Sequence, residues 1–218
     1  MVYRILAPMR IQKVVWLADS ATYPKAWALA KSEGMRLASL PLVDKLVMEK
    51  DKRIKQACWV NELIAHPPKD GQFRTGEDII DAQTGWKLPW EVAVTFIAAT
   101  ELVRKGIGLF IKPSKDWDGE GQAVQPASIS LIHPFMQLSG WGKVDPETRI
   151  PLEISAEEIA RLSYGEQRYL WRLEHSVLRP LVRYGDYYFR RSVSASYWAP
   201  DRIGVVGVFD VDESGRRI

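Results

Sequence analysis

The chain has 218 residues and a mass of 24.9 kDa, the size of one domain that can bury a substantial core unaided. Its 46% hydrophobic and 26% charged residues are those of a globular chain and exclude a disordered or fibrous one. A net charge of +3 is too small to argue for a nucleic-acid or membrane-surface protein, and the single cysteine, Cys58, excludes an internal disulfide and a zinc site built on thiolates.

From Met1 to Arg10 there is no apolar run of signal-peptide length, and no window is apolar enough for a membrane span. The expected location is the cytoplasm, or a virion assembled there. Val14-Val15-Trp16-Leu17 reads as a buried strand. Thr22 is placed to cap a helix over 23–33, with Pro24 in its first turn and Tyr23, Trp27 and Ala30 on one face. Gly34 supplies its left-handed stop. A second helix is expected over 41–50, and Cys58-Trp59-Val60 reads as a strand end.

Residues 65–150 read as a loop-rich insertion. Pro67-Pro68-Lys69-Asp70-Gly71 and Asp116-Trp117-Asp118-Gly119-Glu120-Gly121 are turn clusters. Between them, 92–103 suits either a helix or a buried strand pair, since periodicity does not decide between the two. Strands are expected over 106–111 and 129–132. Ser155-Ala156-Glu157-Glu158 is a capping box opening a helix to Tyr164. All 13 lysines precede residue 161, whereas 161–218 holds ten arginines. Arginine is preferred over lysine where planar, bidentate or stacked contacts matter. The stretch 203–211 is a strand whose Gly204 and Gly207 admit close backbone approach.

Two separated segments, Tyr23 to Lys31 with Gly34-Met35-Arg36-Leu37 and Ser39-Leu40-Pro41, and Val182-Arg183-Tyr184-Gly185 with Arg190-Arg191, Ser196 to Pro200 and Gly207-Val208-Phe209, resemble the two ends of the formylglycine-generating-enzyme and C-type-lectin-like fold. Pro41 comes later than the family's proline, Tyr184 replaces a glycine and Phe209 replaces the final arginine. The resemblance implies one α+β lectin-like domain over 1–218, loop-rich, with short antiparallel strands, two or three helices, and terminal strands that pair. Oxidising members hold copper with two cysteines, so the resemblance implies a relative without that chemistry. Neither a cofactor nor a catalytic metal is expected.

Nine tryptophans and eight tyrosines are many for this length, and most are expected to fill the core. The functional candidates are rings and arginines near the C-terminus: Arg183, Tyr184, Tyr187, Tyr188, Phe189, Arg190, Arg191, Tyr197, Trp198 and Arg202. Such residues dominate binding hot spots. Arg183 and one of Arg190 and Arg191 are assigned to bracing, as Trp27 and Gly34 are to the helix. Tyr187, Tyr188, Tyr197, Trp198 and Arg202 are assigned to a ligand face. Cys58 reads as a buried inert thiol, His66 as an exposed loop residue and His133 as a core histidine. His175, between Glu174 and Ser176, forms no triad. Asp78, Asp81, Asp116, Asp118 and Glu120 read as solvated loop acids. The expected function is binding or display of a protein or glycan, with no nucleic-acid or membrane partner; an oligomer is compatible with it. The alternatives are a degenerate formylglycine-generating-type enzyme and a structural virion subunit.

Overall fold

The computed structural model describes residues 11–67, 72–81, 84–105, 108–117, 119, 122–132, 141–142, 147, 168–171, 178–183, 192–195 and 203–218. These form a mixed α+β structure whose centre is a ten-stranded sheet.

The first strand, β1 (Ile11–Ala18), contains the expected apolar run, half-buried rather than buried, and lies antiparallel to the last, β12 (Gly204–Val211), from Ile11↔Val211 to Ala18↔Val205. Gly204 and Gly207 permit this approach. A Cβ on Gly204 would overlap the Trp16 ring, and one on Gly207 would lie 2.7 Å from both Leu17 Cδ1 and Met35 Sδ.

Helix α1 (Tyr23–Ser32) starts after Thr22, whose carbonyl accepts from the Ala26 N–H although its hydroxyl caps nothing. Tyr23, Ala26, Trp27 and Ala30 are buried. Gly34, at φ +60°, closes the helix: its N–H donates to Lys31 and the Met35 N–H to Ala30. After β2 (Arg36–Leu37), helix α2 (Leu40–Met48) ends the same way with Lys50 in the glycine's place, at φ +56°. Strand β3 (Cys58–Ala65) follows and starts, rather than ends, at Cys58.

The middle of the chain holds more regular structure than its turn clusters suggest. It contains a hairpin of β4 (Ile79–Ile80) and β5 (Lys87–Leu88), then α3 (Trp90–Phe96), α4 (Ala99–Lys105), β6 (Gly108–Pro113), β7 (Pro126–Ile132) and β8 (Trp141–Gly142). The undecided stretch 92–103 is thus two helices, broken where Ile97 turns extended at φ −140°. The described residues contain four helices instead of two or three. The helix expected from Ser155 lies outside the described residues.

The remaining strands are β9 (Arg168–Trp171), β10 (Leu178–Arg183) and β11 (Ser192–Ala195). The sheet runs β1-β12-β3-β10-β11-β9-β8, with β2 on β12 and β6 and β7 extending from β3. Pairing is not wholly antiparallel, because β12 lies parallel to β3 and β11 to β9. Alternation along β3 makes two cores. Trp59, Leu63 and Ala65 join α1, α3 and α4 on one face, and Cys58, Val60 and Ile64 join α2 on the other. In the first core Tyr23, Trp27, Trp59, Trp86 and Trp117 meet edge-to-face at centroid separations of 5.1 to 6.4 Å. These rings are the fillers the composition calls for.

Candidate functional site

Three strand ends converge at the start of β3. Arg183, the last residue of β10, pairs with Cys58, and so does Gly204, the first of β12. Val193 of β11 pairs with Arg183. The chain between β10 and β11, which contains Tyr187, Tyr188, Arg190 and Arg191, therefore leaves from this end of the sheet. The chain between β11 and β12, which contains Tyr197, Trp198 and Arg202, returns to it. Those seven residues themselves lie outside the described residues, as do His133, His175, Asp118 and Glu120.

The roots of both connections are fixed. The Arg183 side chain is fully buried and its Nε donates to Asp44 Oδ1 of α2 at 2.9 Å. An ion pair removed from water holds its partners tightly, because losing either one strands a buried charge. At the other root the Gly204 N–H donates to the Ala57 carbonyl at 2.8 Å, and the Ala21 N–H to the Ile203 carbonyl at 3.0 Å. Ile203 is buried. Earlier in the same strand, Arg179 repeats the device: its Nη1 contacts both carboxylate oxygens of Asp81 at 3.0 Å. Asp81 also accepts from the Thr84 N–H and so ties the β4–β5 hairpin to β10.

Two expectations are corrected here. Asp81 is buried, not a solvated loop acid, because Arg179 supplies a countercharge from a distant strand. His66 is buried, not exposed, since it directly follows the central strand β3. Asp78 and Asp116 are less enclosed, and the Asp78 carboxylate accepts from the Trp90 N–H at the start of α3.

Cys58 is fully buried, and burial pushes its thiol up to about 12, with the Arg183 charge opposing that rise. It is protonated at neutral pH and is no nucleophile. Glu62, unremarked in the sequence, is equally buried in the middle of β3. Its Oε2 accepts from the Leu40 N–H at 2.7 Å and so serves as the cap that the Ser39 side chain does not make. Burial pushes this carboxyl up to about 7, opposed by hydrogen bonds from backbone N–H groups and by the more distant Lys112. Burial also raises the Tyr23 phenol, whose hydroxyl donates to the Asn61 carbonyl at 3.1 Å.

Among the described residues no three His, Cys, Asp or Glu side chains are grouped to hold a metal ion, and no helix is long and apolar enough to cross a membrane. Arg179, Asp44 and Glu62 escape sequence reading because their partners lie far along the chain. The one local signal is the pair of arginines at 179 and 183 inside an apolar strand. No family model, curated protein or solved structure matches the chain.

Proposed function

We propose that the chain is a lectin-like binding or display module that recognises a protein or glycan through the ring- and arginine-rich connections on either side of β11. The observation that carries this reading is the fixing of their roots: Arg183 locked to Asp44, Ile203 to Ala21 and Gly204 to Ala57. Binding residues commonly sit on connections that a rigid scaffold positions. The antiparallel pairing of the first and last strands, with α1 following β1, supports the lectin-like reading. The buried, protonated Cys58 speaks against the oxidising chemistry of the formylglycine-generating enzymes.

Replacing Tyr187 and Trp198 singly by alanine tests the reading. A ring presented to a ligand contributes little to folding, so urea titration should show a change within about 0.5 kcal/mol for each. Binding, screened on a glycan array and by crosslinking to co-purified proteins, should fall by about 2 kcal/mol or more for the better anchor. If both substitutions cost several kcal/mol of stability, the rings pack the core and the proposal fails.

A further inference from the structure

The loop from α2 to β3 carries more positive charge than its own acids balance. Residues 50–55 hold four cations, Lys50, Lys52, Arg53 and Lys55, against the single anion Asp51, a surplus equal to the net +3 of the whole chain. All four cationic residues are exposed. The loop is nonetheless fixed. Ile54 and Ala57 are buried, the Ile54 N–H donates to the Asp51 carbonyl at 3.0 Å, and Asp51 is occupied by Arg53 at 2.6 Å. The neighbouring acids neutralise it only loosely. Glu49 stands 3.9 Å from Lys45 and Asp19 3.8 Å from Lys55, at the outer limit of an ion pair and in solvent.

Cations in the last turn of a helix offset its dipole, which accounts for Lys45 and Lys50 but not for Lys52, Arg53 and Lys55 further on. Lys50 also occupies the left-handed position that α1 gives to Gly34, a conformation costing a side chain about 1 kcal/mol or more. Beside these charges Met48, at the end of α2, is 38% exposed, and methionine suits adaptable apolar contacts. The loop stands at the same end of the sheet as Cys58, since the Ala57 carbonyl accepts from the Gly204 N–H.

We infer that this loop, with Met48, is a docking surface for an acidic segment of a partner protein that carries an apolar side chain among its carboxylates. A fixed loop with three exposed lysines beside one apolar side chain matches that chemistry. Single-stranded nucleic acids add stacking on open ring faces to their charge contacts. The described rings here do not offer one: Trp59 is buried, and Lys55 lies over Trp16, 5.6 Å from the ring centroid. A single exposed methionine is too little apolar surface for a lipid interface.

The test uses the full chain and a labelled glutamate-rich peptide containing leucines, followed by fluorescence anisotropy, with heparin, single-stranded DNA and phosphatidylserine vesicles as rival ligands. The triple variant Lys50→Asn, Lys52→Gln, Lys55→Gln removes the charge and keeps a residue tolerant of left-handed backbone at 50. The wild type should bind the peptide saturably, more weakly as salt rises from about 50 to 300 mM, and the triple variant should bind roughly tenfold or more weakly. The exposed single variant Lys52→Glu supplies the same comparison if the triple variant does not fold. Equal affinity of wild type and variants, no saturable binding, or tighter binding of heparin, DNA or vesicles than of the peptide would overturn the inference. The outcome is separable from that of the β11 connections: loss of peptide binding in the loop variants, with Tyr187→Ala and Trp198→Ala unchanged in the same assay, supports the loop alone, whereas large stability losses in the two ring variants sink the earlier proposal alone.

Discussion

Glu62→Gln isolates the effect of one buried carboxyl on the fold. In the native chain Glu62 lies 1% exposed on β3, with the Leu40 N–H as its close hydrogen-bond donor. Burial moves its pKa from an ordinary 4.5 to about 7. The folded state therefore binds the proton more tightly than the unfolded state, and this group's contribution is fully present below about pH 4.5 and lost as pH rises through 7. At roughly 1.4 kcal/mol per pH unit, ionised Glu62 lowers stability by about 3 kcal/mol at pH 8 relative to pH 4. Glutamine is nearly isosteric, keeps an oxygen for the Leu40 N–H and does not titrate. Urea titrations of both proteins between about pH 4 and 8 should give similar stabilities at the acid end. The variant should then gain steadily on the wild type, to about 3 kcal/mol. The difference cancels the other titrating groups, including half-buried Asp51, whose carboxyl Arg53 holds down to about 2. A difference that stays constant across this range would refute the reasoning and place the Glu62 pKa near that of a solvated carboxyl.

Gly119, at φ +74°, would place a Cβ 2.6 Å from Trp27 Cγ. Gly119→Ala should therefore cost about 2–4 kcal/mol through backbone strain and overpacking, and an unchanged melting temperature would show that Trp27 moves aside. Asp44→Ala removes a buried partner of Arg183 and should cost about 3–5 kcal/mol, whereas the double replacement Asp44→Leu, Arg183→Met should recover much of that. A loss below about 1 kcal/mol for the single variant, by urea titration, would mean that solvent reaches the pair.

Local signals in the sequence located the elements whose boundaries are chemical. Tyr23-Pro24 and Gly34 mark both ends of α1, and the apolar runs around Val14 and Val205 mark β1 and β12. Between 92 and 103 the apolar residues are too dense for a period to emerge, so periodicity does not separate α3 and α4 from strands; the extended Ile97 divides them. The middle third reads as loop because its strands are short and interrupted by turn residues. Polar burial was illegible for a different reason. Asp81 sits in a sequence that reads as surface loop, and only the three-dimensional meeting with Arg179 makes its burial tolerable. His66 follows Ala65 out of a strand whose central position no local pattern reveals. Arg183 reads as a brace because arginines in a loop-rich fold brace carbonyls and stack on rings, but its partner is the carboxylate of Asp44, which nothing nearby in the sequence names.

The position of β12 has a consequence for how the chain assembles. It is the strand through which β1 joins the rest of the described sheet, with β1 on one side and β3 on the other. During synthesis β1 emerges long before its partner, as the pairing of Ile11 with Val211 shows. The edge of β3 that receives β12 waits as long. The nascent chain therefore carries two strand edges that wait for β12 while everything between them is made, one of them on β3, whose residues are nearly all buried. Loop closure over such a separation is slow, and open edges invite pairing with other chains. Aggregation during expression, relieved by slower synthesis or by holding chaperones, is the behaviour this topology favours even when the finished fold is stable.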